Sequence, residues 1–557
     1  MGDDLAVDPA RLAEPELRGL VNRLLNLVED LQAEVTRLGE ENQRLRDEVA
    51  RLKGLPARPI FPPRRAPTPP ADHSSERERH TPVPRHRRRT LDQVVIHRIA
   101  TLECARATLP PEARFKGYVE CTVQEVVVRA ENVRFRRAKW YVPSTGQTIL
   151  APLPPGYHGR YGPGVRALVL ALGYGSHVSQ PKIREFLGDL GLVISAGHVS
   201  NLLVQGQAVF HAEAQAIGAA GLASSPWQHL DDTATQVDGR TQHCHVLGNP
   251  LYSRYQTTPR KDRLTILDVL RNGQPRGYLV DAAARATLAA APLAAATRRG
   301  LAKLPAAQVL DEAELTRHLA EHVPRLSRAD GLRVREALAL AADRAPDAPD
   351  RVRLLICDDA PQFGGVTEAI QLCWIHEGRH YQKLDPQVPH HRTVLRRFRR
   401  RFWRYYRQLL AYRDAPDPAA ARRLRRGFAR LFATKTGYAA LDRRIALTRG
   451  HKAALLAMLD HPEVPLHNNP AELAVRRRVR KRKVSYGPQS AAGAKAWDTF
   501  QTLAATAAKL GVSFSAYLHD RLAETNALPA LADLIAERAA ILNLGASWPH
   551  QPAPPDH

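Results

Sequence analysis

Residues 352–363, VRLLICDDAPQF, begin with the short and mostly apolar run VRLLIC. An apolar run of this length that is bounded by turn-forming residues is typical of a buried strand. This run ends in two acidic residues, Asp358 and Asp359. It therefore predicts an α/β domain with carboxylates at the end of one of its strands.

Two other stretches add carboxylates to this strand end. WQHLDDTATQVDG, residues 227–239, is the first of three strand-like runs and carries Asp231 and Asp232. HNNPAELAVRRRVRKRKV, residues 467–484, predicts a basic helix with Glu472 on its first turn. Carboxylate oxygens are ligands that Mg²⁺ prefers, and two such ions about 3.5–4 Å apart can activate an attacking oxygen and stabilise a leaving one. Two aspartates on strands and one glutamate on a helix, far apart in the sequence, are therefore consistent with a two-metal phosphodiester site.

Each carboxylate also has a structural interpretation. An Asp-Asp pair at a strand end can accept hydrogen bonds from a turn. If Asn469 caps the basic helix and Pro470 opens it, Glu472 can close a capping box. Spacing alone does not decide between these interpretations and an active site.

Composition indicates a basic protein of several domains. The chain has 557 residues, with 81 Lys and Arg against 56 Asp and Glu, a formal charge of +25. Such an excess favours a polyanionic partner. No apolar run is long enough for a membrane span, and the five dispersed cysteines do not suggest a disulfide scaffold. We expect a cytoplasmic, nucleoid-associated protein.

A heptad repeat marks the N-terminal region. Leucines recur every seven residues from Leu17 to Leu52, and valines with a single Asn42 fill the other seam position. Valine and leucine in this alternation favour a parallel two-stranded coiled coil, and one buried Asn specifies register. The predicted dimerisation residues are Leu24, Leu31, Leu38, Asn42 and Leu45.

Three segments separate this zipper from the acidic residues. Residues 54–90 are rich in Pro and Arg and predict an extended basic linker. Residues 91–160 contain alternating runs such as VQEVVVRA and predict a small β-rich module, where Cys104 and Cys121 do not have the spacing of a zinc site. Residues 161–220 predict a helix-turn-helix, or else an ordinary helical hairpin. In the first case His198, Ser200 and Asn201 would contact DNA.

The chain resembles transposases of the insertion-sequence 66 family. HNNPAELAVR is similar to the family's Asn-Asn-x-x-Glu-x-x-x-Arg signature, CWIHEGRHY to its Cys-Trp-x-His strand, and SFSAYLHDRL to its C-terminal helix pattern. The resemblance implies a DDE transposase with an RNase H-like core, in which Asp231, Asp358 and Glu472 are the metal-binding catalytic carboxylates. Because both aspartates are doubled here, the motif alignment selects the first of each pair, and Asp232 and Asp359 remain alternatives. The alternation of side chains along a strand also predicts that Asp232 lies on the opposite face from Asp231.

The implied cofactor is Mg²⁺ or Mn²⁺, with two ions per active site. The family's four-cysteine zinc finger is degenerate in this chain, and zinc is not expected. His376 and His380 follow Cys373 with a metal-like spacing, but core packing and active-site hydrogen bonding explain them better. The implied partners are DNA (terminal repeats and target), a second copy of the chain through the coiled coil, and helper proteins encoded by the same element, with no membrane.

Basic residues extend the predicted DNA contacts. Arg476 lies one helical turn after Glu472, and we assign Arg480 and Lys483 of the same helix to DNA binding as well. Residues 392–430 hold 14 arginines against two acidic residues, interleaved with aromatic residues. This segment is either a helix that contacts phosphates or one whose aromatics pack inward and whose arginines are only solvated.

These observations predict a multidomain α/β protein. Its segments are a disordered N-terminus (1–16), a coiled coil (17–53), a linker (54–90), a β-rich module (91–160), a helix-turn-helix region (161–220), a catalytic core (221–520) with helical insertions near 280–350 and 390–460, and a C-terminal helix and tail (521–557). The expected activity is metal-dependent DNA cleavage and strand transfer. The alternatives are a zipper-dimerised DNA binder or repressor derived from a transposase, and a nuclease with the same core but no end joining.

Overall fold

The computed structural model describes residue 9 and residues 14–52, 94–105, 109–110, 112–126, 128–345 and 351–548. The predicted linker of residues 54–90 and most of the predicted N-terminal segment lie outside the described residues. The end of the predicted C-terminal tail also lies outside them.

The described residues form a mainly helical chain around one mixed sheet. The strands, in chain order, are β1 (Lys139–Val142), β2 (Gln147–Leu150), β3 (Trp227–Val237), β4 (Arg240–Gly248), β5 (Ser253–Thr258), β6 (Tyr278–Leu279), β7 (Val309–Leu310), β8 (Leu354–Cys357) and β9 (Ala369–Leu372). The helices are α1 (Pro15–Leu52), α2 (Pro163–Leu170), α3 (Gln180–Asp189), α4 (Ala196–Val204), α5 (Ala208–Ala223), α6 (Arg263–Leu270), α7 (Ala282–Ala290), α8 (Ala295–Leu301), α9 (Glu312–His322), α10 (Arg328–Asp343), α11 (Trp374–Gln382), α12 (Pro389–Asp414), α13 (Pro418–Phe432), α14 (Ala439–Gly450), α15 (Lys452–Leu455), α16 (Asn469–Ser485), α17 (Ala491–Lys509), α18 (Phe514–Leu522) and α19 (Leu531–Leu542).

The central sheet has the strand order β5-β4-β3-β8-β9. β3, β4 and β5 form an antiparallel meander, whereas β8 runs parallel to β3 and β9 parallel to β8. The chain therefore leaves the meander after β5, passes through the helical segment α6–α10, and returns beside β3. This return makes strands that are distant in sequence neighbours in the sheet.

The strand β8 is buried on both faces, as the apolar run of residues 352–357 predicts. Leu355 and Cys357 belong to the larger hydrophobic core, which also contains residues of α2–α10 and α17–α19. Leu354 and Ile356 belong to a second core that is built largely from α11–α15. Because successive side chains of a strand point to opposite faces, the sheet separates the two cores.

The edge strand β5 is covered by α17. The backbone N–H groups of Ser253 and Tyr255 donate to the hydroxyls of Thr506 and Thr502, at 3.3 and 3.0 Å. The N–H of Thr257 donates to the carboxylate of Asp498 at 2.6 Å. These side chains satisfy amides that an open sheet edge would otherwise expose to pairing with another chain.

The helix α1 spans the predicted zipper. The face that packs against the rest of the protein is not the face that carries the seam leucines. Leu25 is 4% exposed, whereas the seam residues Leu31 and Leu45 are 56% and 60% exposed. Glu29 accepts hydrogen bonds from Val388 N at 3.0 Å and from His391 Nδ1 at 3.0 Å, at the start of α12. The predicted dimerisation seam is thus left open in the single chain.

One run of the predicted β-rich module requires a correction, whereas the module itself stays a prediction. Within residues 91–160, the described part of the chain contains only the hairpin of β1 and β2. The described residues of the run VQEVVVRA, residues 123–130, form no strand, and Val123 and Val126 are exposed. Alternation predicts a strand only where a neighbouring strand accepts its hydrogen bonds, and the described residues provide none here.

Two other predicted segments are helical. α3 and α4 occupy the predicted helix-turn-helix, and the Ser195 side chain caps α4 by accepting from His198 N at 3.2 Å. The insertion near residues 280–350 contains α7–α10 and the short pair β6–β7.

The buried carboxyl of Glu213 on α5 predicts a pH-dependent stability. Burial raises the pKa of Glu213 from its usual 4.5 to about 7, and the nearby charge of Arg521 offsets this only in part. Between these pH values the folded chain binds a proton that the unfolded chain has lost, so stability falls as pH rises from about 4.5 to 7. We expect Glu213→Gln to remove this loss and to stabilise the protein by about 3 kcal/mol above pH 7.

Urea unfolding followed by circular dichroism across this pH range measures the effect. The matched control is Glu537→Gln, an exposed residue of α19, which should retain the pH dependence of the unmodified protein. A Glu213→Gln variant with an unchanged pH profile would contradict the assignment.

Candidate active site

Asp231 and Asp358 lie at the same level on adjacent strands. The last parallel pair between β3 and β8 joins His229 to Ile356, and each aspartate follows two residues later. Because side chains of a strand alternate, both positions continue the same face of the sheet. The parallel pairing therefore brings together two carboxylates that are 127 residues apart in the chain, from 231 to 358.

The two aspartates are desolvated carboxyl groups close to like charges. Burial raises the pKa of Asp231 to about 7, and the charges of Asp358 and Glu472 raise it further, although its Oδ1 accepts from the backbone N–H of Asp232 at 2.8 Å. Burial also raises the pKa of Asp358, whose Oδ1 accepts from Ala360 N at 3.1 Å. Such a cluster is stabilised by a cation.

Glu472, on the first turn of α16, lies near enough for its charge to raise the pKa of Asp231. α16 packs on the face of the sheet that carries Asp231, since its Ala474 lies in a small core with Cys244 and Val246, and Val246 is opposite Asp231 in β4. The N-cap of α16 is Asn468, and its side chain makes no capping hydrogen bond. The capping interpretation of Glu472, with Asn469 as the cap, is therefore wrong.

The carboxylate of Glu472 is held by α11. Both terminal nitrogens of Arg379 lie 3.3 Å from Glu472 Oε2, and Arg379 also donates to His376 Nε2 at 3.1 Å. A histidine that accepts at Nε2 carries its proton on Nδ1, and this atom lies 3.7 Å from Glu472 Oε1. Glu472 Oε1 is buried and accepts no hydrogen bond from the described residues. It is an oxygen available to a further ligand.

The second aspartate of each pair has other contacts. Asp232 pairs in register with His245, on the opposite face from Asp231, and its oxygens lie 2.9 Å from Gln362 Nε2 and 3.7 Å from Lys261 Nζ. Asp359 Oδ2 lies 3.9 Å from His380 Nε2. The alternation of β3 therefore separates Asp231 from Asp232, as the sequence predicted.

Asn468 joins the strands to α16. Its side chain donates to Leu230 O at 2.7 Å and is 3.0 Å from His229 Nδ1, while its backbone N–H donates to Cys373 Sγ at 3.3 Å. Burial lowers the pKa of His229 to about 3, so this imidazole is neutral. Sequence reasoning assigned no role to Asn468 or His229, although the Asn-Asn pair of the motif was a signal that a polar residue is required there.

The basic residues of α16 divide into exposed and buried sets. Arg476, Arg480 and Lys483, which the sequence assigned to DNA, are exposed and lie at three- and four-residue spacings from one another on the face of Glu472. Arg478 is fully buried, forms an ion pair with Asp498 at 3.0 Å and stacks over Trp497 at 3.8 Å. The run of basic residues did not predict this structural arginine.

The predicted recognition helix α4 carries three residues in different environments. The His198 ring packs edge-on against Tyr161, with ring centroids 5.2 Å apart, and Asn201 is exposed. Ser200 is half-buried and lines a cavity of about 590 Å³, together with Lys481 and the exposed Tyr486. Among the residues that the structure describes, no hydrogen bond or ion pair joins these α4 residues to the three carboxylates.

Two groups of side chains among the described residues have ligand atoms close enough for a metal ion. In each group these atoms lie within 4.8 Å of one another, and the groups are Cys373, His376 and Glu472, and His318, Glu321 and His322. His380, the last residue of the predicted Cys-x₂-His-x₃-His spacing, is not in the first group. Burial raises the pKa of the Cys373 thiol to about 11.

We expect Asn468→Ala to destabilise the protein by about 2–4 kcal/mol, because it leaves the buried Leu230 carbonyl and the His229 ring without their partner. Urea unfolding measures the loss. Asn201→Ala, an exposed position, should cost less than about 0.5 kcal/mol. Equal midpoints for the two variants would exclude this role for Asn468.

Comparison with known proteins identifies similar sequences. Residues 344–496 match the family described as "Transposase IS66 family". This segment contains Asp358 and Glu472 and begins after Asp231. The chain is also 33% identical over 331 residues to a protein of Sinorhizobium fredii (strain NBRC 101917 / NGR234) named "Uncharacterized protein y4jO", over 58% of this chain and 99% of that protein. In the part of the chain that the structure describes, no helix has the length and apolar character needed to cross a membrane.

Proposed function

Because the chain belongs to the IS66 family of transposases, we propose that it binds the ends of its mobile element and catalyses metal-dependent DNA cleavage and strand transfer with Asp231, Asp358 and Glu472. One observation carries this proposal: the parallel register of β3 and β8 puts two desolvated aspartates side by side. The charges of Asp358 and Glu472 both raise the pKa of Asp231.

The proposed catalytic core is RNase H-like, over residues 221–520. The order β5-β4-β3-β8-β9, with an antiparallel meander followed by two parallel strands, supports this assignment. The carboxyl end of β8 and the neighbouring part of β3 carry the acidic residues. Sites in α/β sheets commonly lie at the carboxyl ends of parallel strands.

The residues present fit divalent cations such as Mg²⁺ or Mn²⁺, and we propose two ions per site. The donor atoms are carboxylate oxygens, which these ions prefer. One of them, Glu472 Oε1, is buried and has no hydrogen-bond partner among the described residues. Asp231, Asp358 and Glu472 would hold the ions. When bound, such ions activate a water or 3′-hydroxyl and stabilise the leaving oxygen.

The protein's own side chains would orient the carboxylates and the DNA. Arg379 and His376 fix the position of the Glu472 carboxylate, and Arg379 adds a positive charge where a phosphate would approach. Arg476 lies 4.0 Å from Glu472 and, with Arg480 and Lys483, extends this positive charge along α16. These three residues would contact the DNA backbone near the scissile bond.

The remaining proposals concern assembly on DNA. We propose that α4 contacts the element ends through His198, Ser200 and Asn201, as the second helix of a helix-turn-helix. The exposed leucine seam of α1 supports dimerisation with a second copy, with Asn42 setting the register. Helper proteins of the same element remain proposed partners.

The carboxylate assignment predicts a sharp contrast between neighbouring residues. Asp231→Asn, Asp358→Asn and Glu472→Gln should each reduce cleavage of labelled element-end DNA in Mg²⁺ by at least about a hundredfold, because each removes a charged metal ligand. The matched controls Asp232→Asn and Asp359→Asn make the same chemical change one residue away and should lose less than about tenfold.

Gel analysis of cleaved and joined products, with duplex binding as a folding check, distinguishes the outcomes. Cleavage retained by all three carboxylate variants would refute the site. Binding to the ends without any cleavage by the unmodified protein would favour a DNA-binding descendant, and cleavage without joined products would favour a nuclease.

The zipper assignment predicts dissociation of a dimer. Leu31→Asp with Leu38→Asp places charges in the proposed seam and should convert a dimer to a monomer in sedimentation velocity. Ala33→Asp with Gln43→Asp adds the same charges at exposed positions outside the seam and should leave the dimer intact. Identical sedimentation of the two double variants would rule out this interface.

A further inference from the structure

The helices α12 and α13 form an arginine-rich hairpin whose function the proposed active site does not explain. Residues 392–430 contain 14 arginines and two acidic residues. Four of these arginines follow one another on α12 at spacings of three, four and three residues, which puts them on one face of the helix. We call this the arginine face, and its residues are the exposed Arg397, Arg400, Arg404 and Arg407.

The aromatic residues of α12 point the other way. Phe402, Tyr405 and Tyr406 are buried and pack around Trp374 of α11, with ring centroids 5.5–6.3 Å apart. The aromatic residues therefore do not contact DNA, in agreement with the inward-packing interpretation. Their burial fixes the rotation of α12 about its axis and directs the arginine face outward.

The arginine face has no acidic partner among the described residues, whereas neighbouring arginines do. Arg425 pairs with Asp460 at 2.6 Å, and Arg423 lies 3.8 Å from Asp417. No described carboxylate lies within ion-pair distance of Arg397, Arg400, Arg404 or Arg407. Four like charges over about 15 Å of helix repel one another and add no stability to the fold, so a polyanion is their natural counterpart.

The hairpin is firmly attached to the elements that hold Glu472. A side-chain carbon at Gly378 of α11 would lie 2.5 Å from the Trp403 ring, so only glycine allows this close approach. The next residue of α11 is Arg379, which contacts Glu472. At its N-terminal end, α12 contacts the zipper helix α1, where His391 Nδ1 lies 3.0 Å from Glu29 Oε2. A ligand on the arginine face would therefore be held in a defined position relative to the carboxylates.

We propose that the arginine face binds the phosphate backbone of duplex DNA without reading its sequence. The choice of DNA as the polyanion rests on the proposed function, whereas the location of the binding surface rests on the geometry of α12. Duplex DNA presents one negative charge per about 1.7 Å of its axis, and arginine binds phosphate through paired N–H donors. A rigid row of four arginines can thus displace several counterions from one stretch of backbone.

The test compares two variants of the full chain that lose the same charge. The first carries Arg397→Gln, Arg400→Gln, Arg404→Gln and Arg407→Gln. The matched control carries Arg285→Gln, Arg299→Gln, Arg317→Gln and Arg325→Gln, four exposed arginines of the other helical insertion. Affinity for a labelled duplex of random sequence is measured by fluorescence anisotropy between about 50 and 200 mM salt, with chelator present so that cleavage does not contribute.

For the first variant, the slope of log affinity against log salt should become shallower by about three to four, with the control unchanged. Equal slopes for the two variants, with circular dichroism showing both folded, would overturn the proposal. In a parallel arm with vesicles containing phosphatidylserine, loss of vesicle binding without a change in the DNA slope would overturn it in favour of a membrane surface. Because no metal is present, failure of the proposed cleavage would leave this readout unchanged.

Discussion

The buried side chain of Asn468 is the constraint on which the geometry of the acidic cluster depends. It bonds to the Leu230 carbonyl and the His229 ring of β3, and its backbone N–H bonds to Cys373 at the end of β9. α16 begins at the next residue, so these bonds position Glu472 relative to both strands. Without them, mutual repulsion among desolvated carboxylates would favour moving α16 away from the sheet.

A second network fixes α11, which faces this cluster. On one side α11 presents His376 and Arg379 to Glu472. On its other side the buried carboxylate of Glu377 pairs with Arg444 of α14, with Nη2–Oε1 and Nη2–Oε2 distances of 2.5 and 2.6 Å. A buried charge pair with several hydrogen bonds holds its geometry well, because breaking it leaves an uncompensated charge. The side chains of Arg379 and His376 beside Glu472 are thus held in place by a helix packed in the second hydrophobic core rather than by a surface loop.

Sequence patterns predicted those parts of the fold that are determined by residues close together in the sequence. The apolar run of residues 352–357 predicted a buried strand, heptads predicted α1, and alternation in β3 separated Asp231 from Asp232. Sequence reasoning failed where the deciding interaction comes from a distant segment. Val123 and its neighbours alternate like a strand, but the described residues provide no strand that pairs with them. The run of basic residues predicted a surface charge at Arg478, whereas Asp498 and Trp497 enclose this side chain. The role of Asn468 depends on β3, which lies more than two hundred residues earlier.

The central claim is that three carboxylates from distant parts of the chain form one divalent-cation site. Anomalous diffraction from crystals of the protein soaked in Mn²⁺ tests it directly. We expect two anomalous peaks in contact with the oxygens of Asp231, Asp358 and Glu472, and none there in crystals of Asp231→Asn. Peaks confined to Cys373 and His376, or no peak beside the three carboxylates of the unmodified protein, would contradict it.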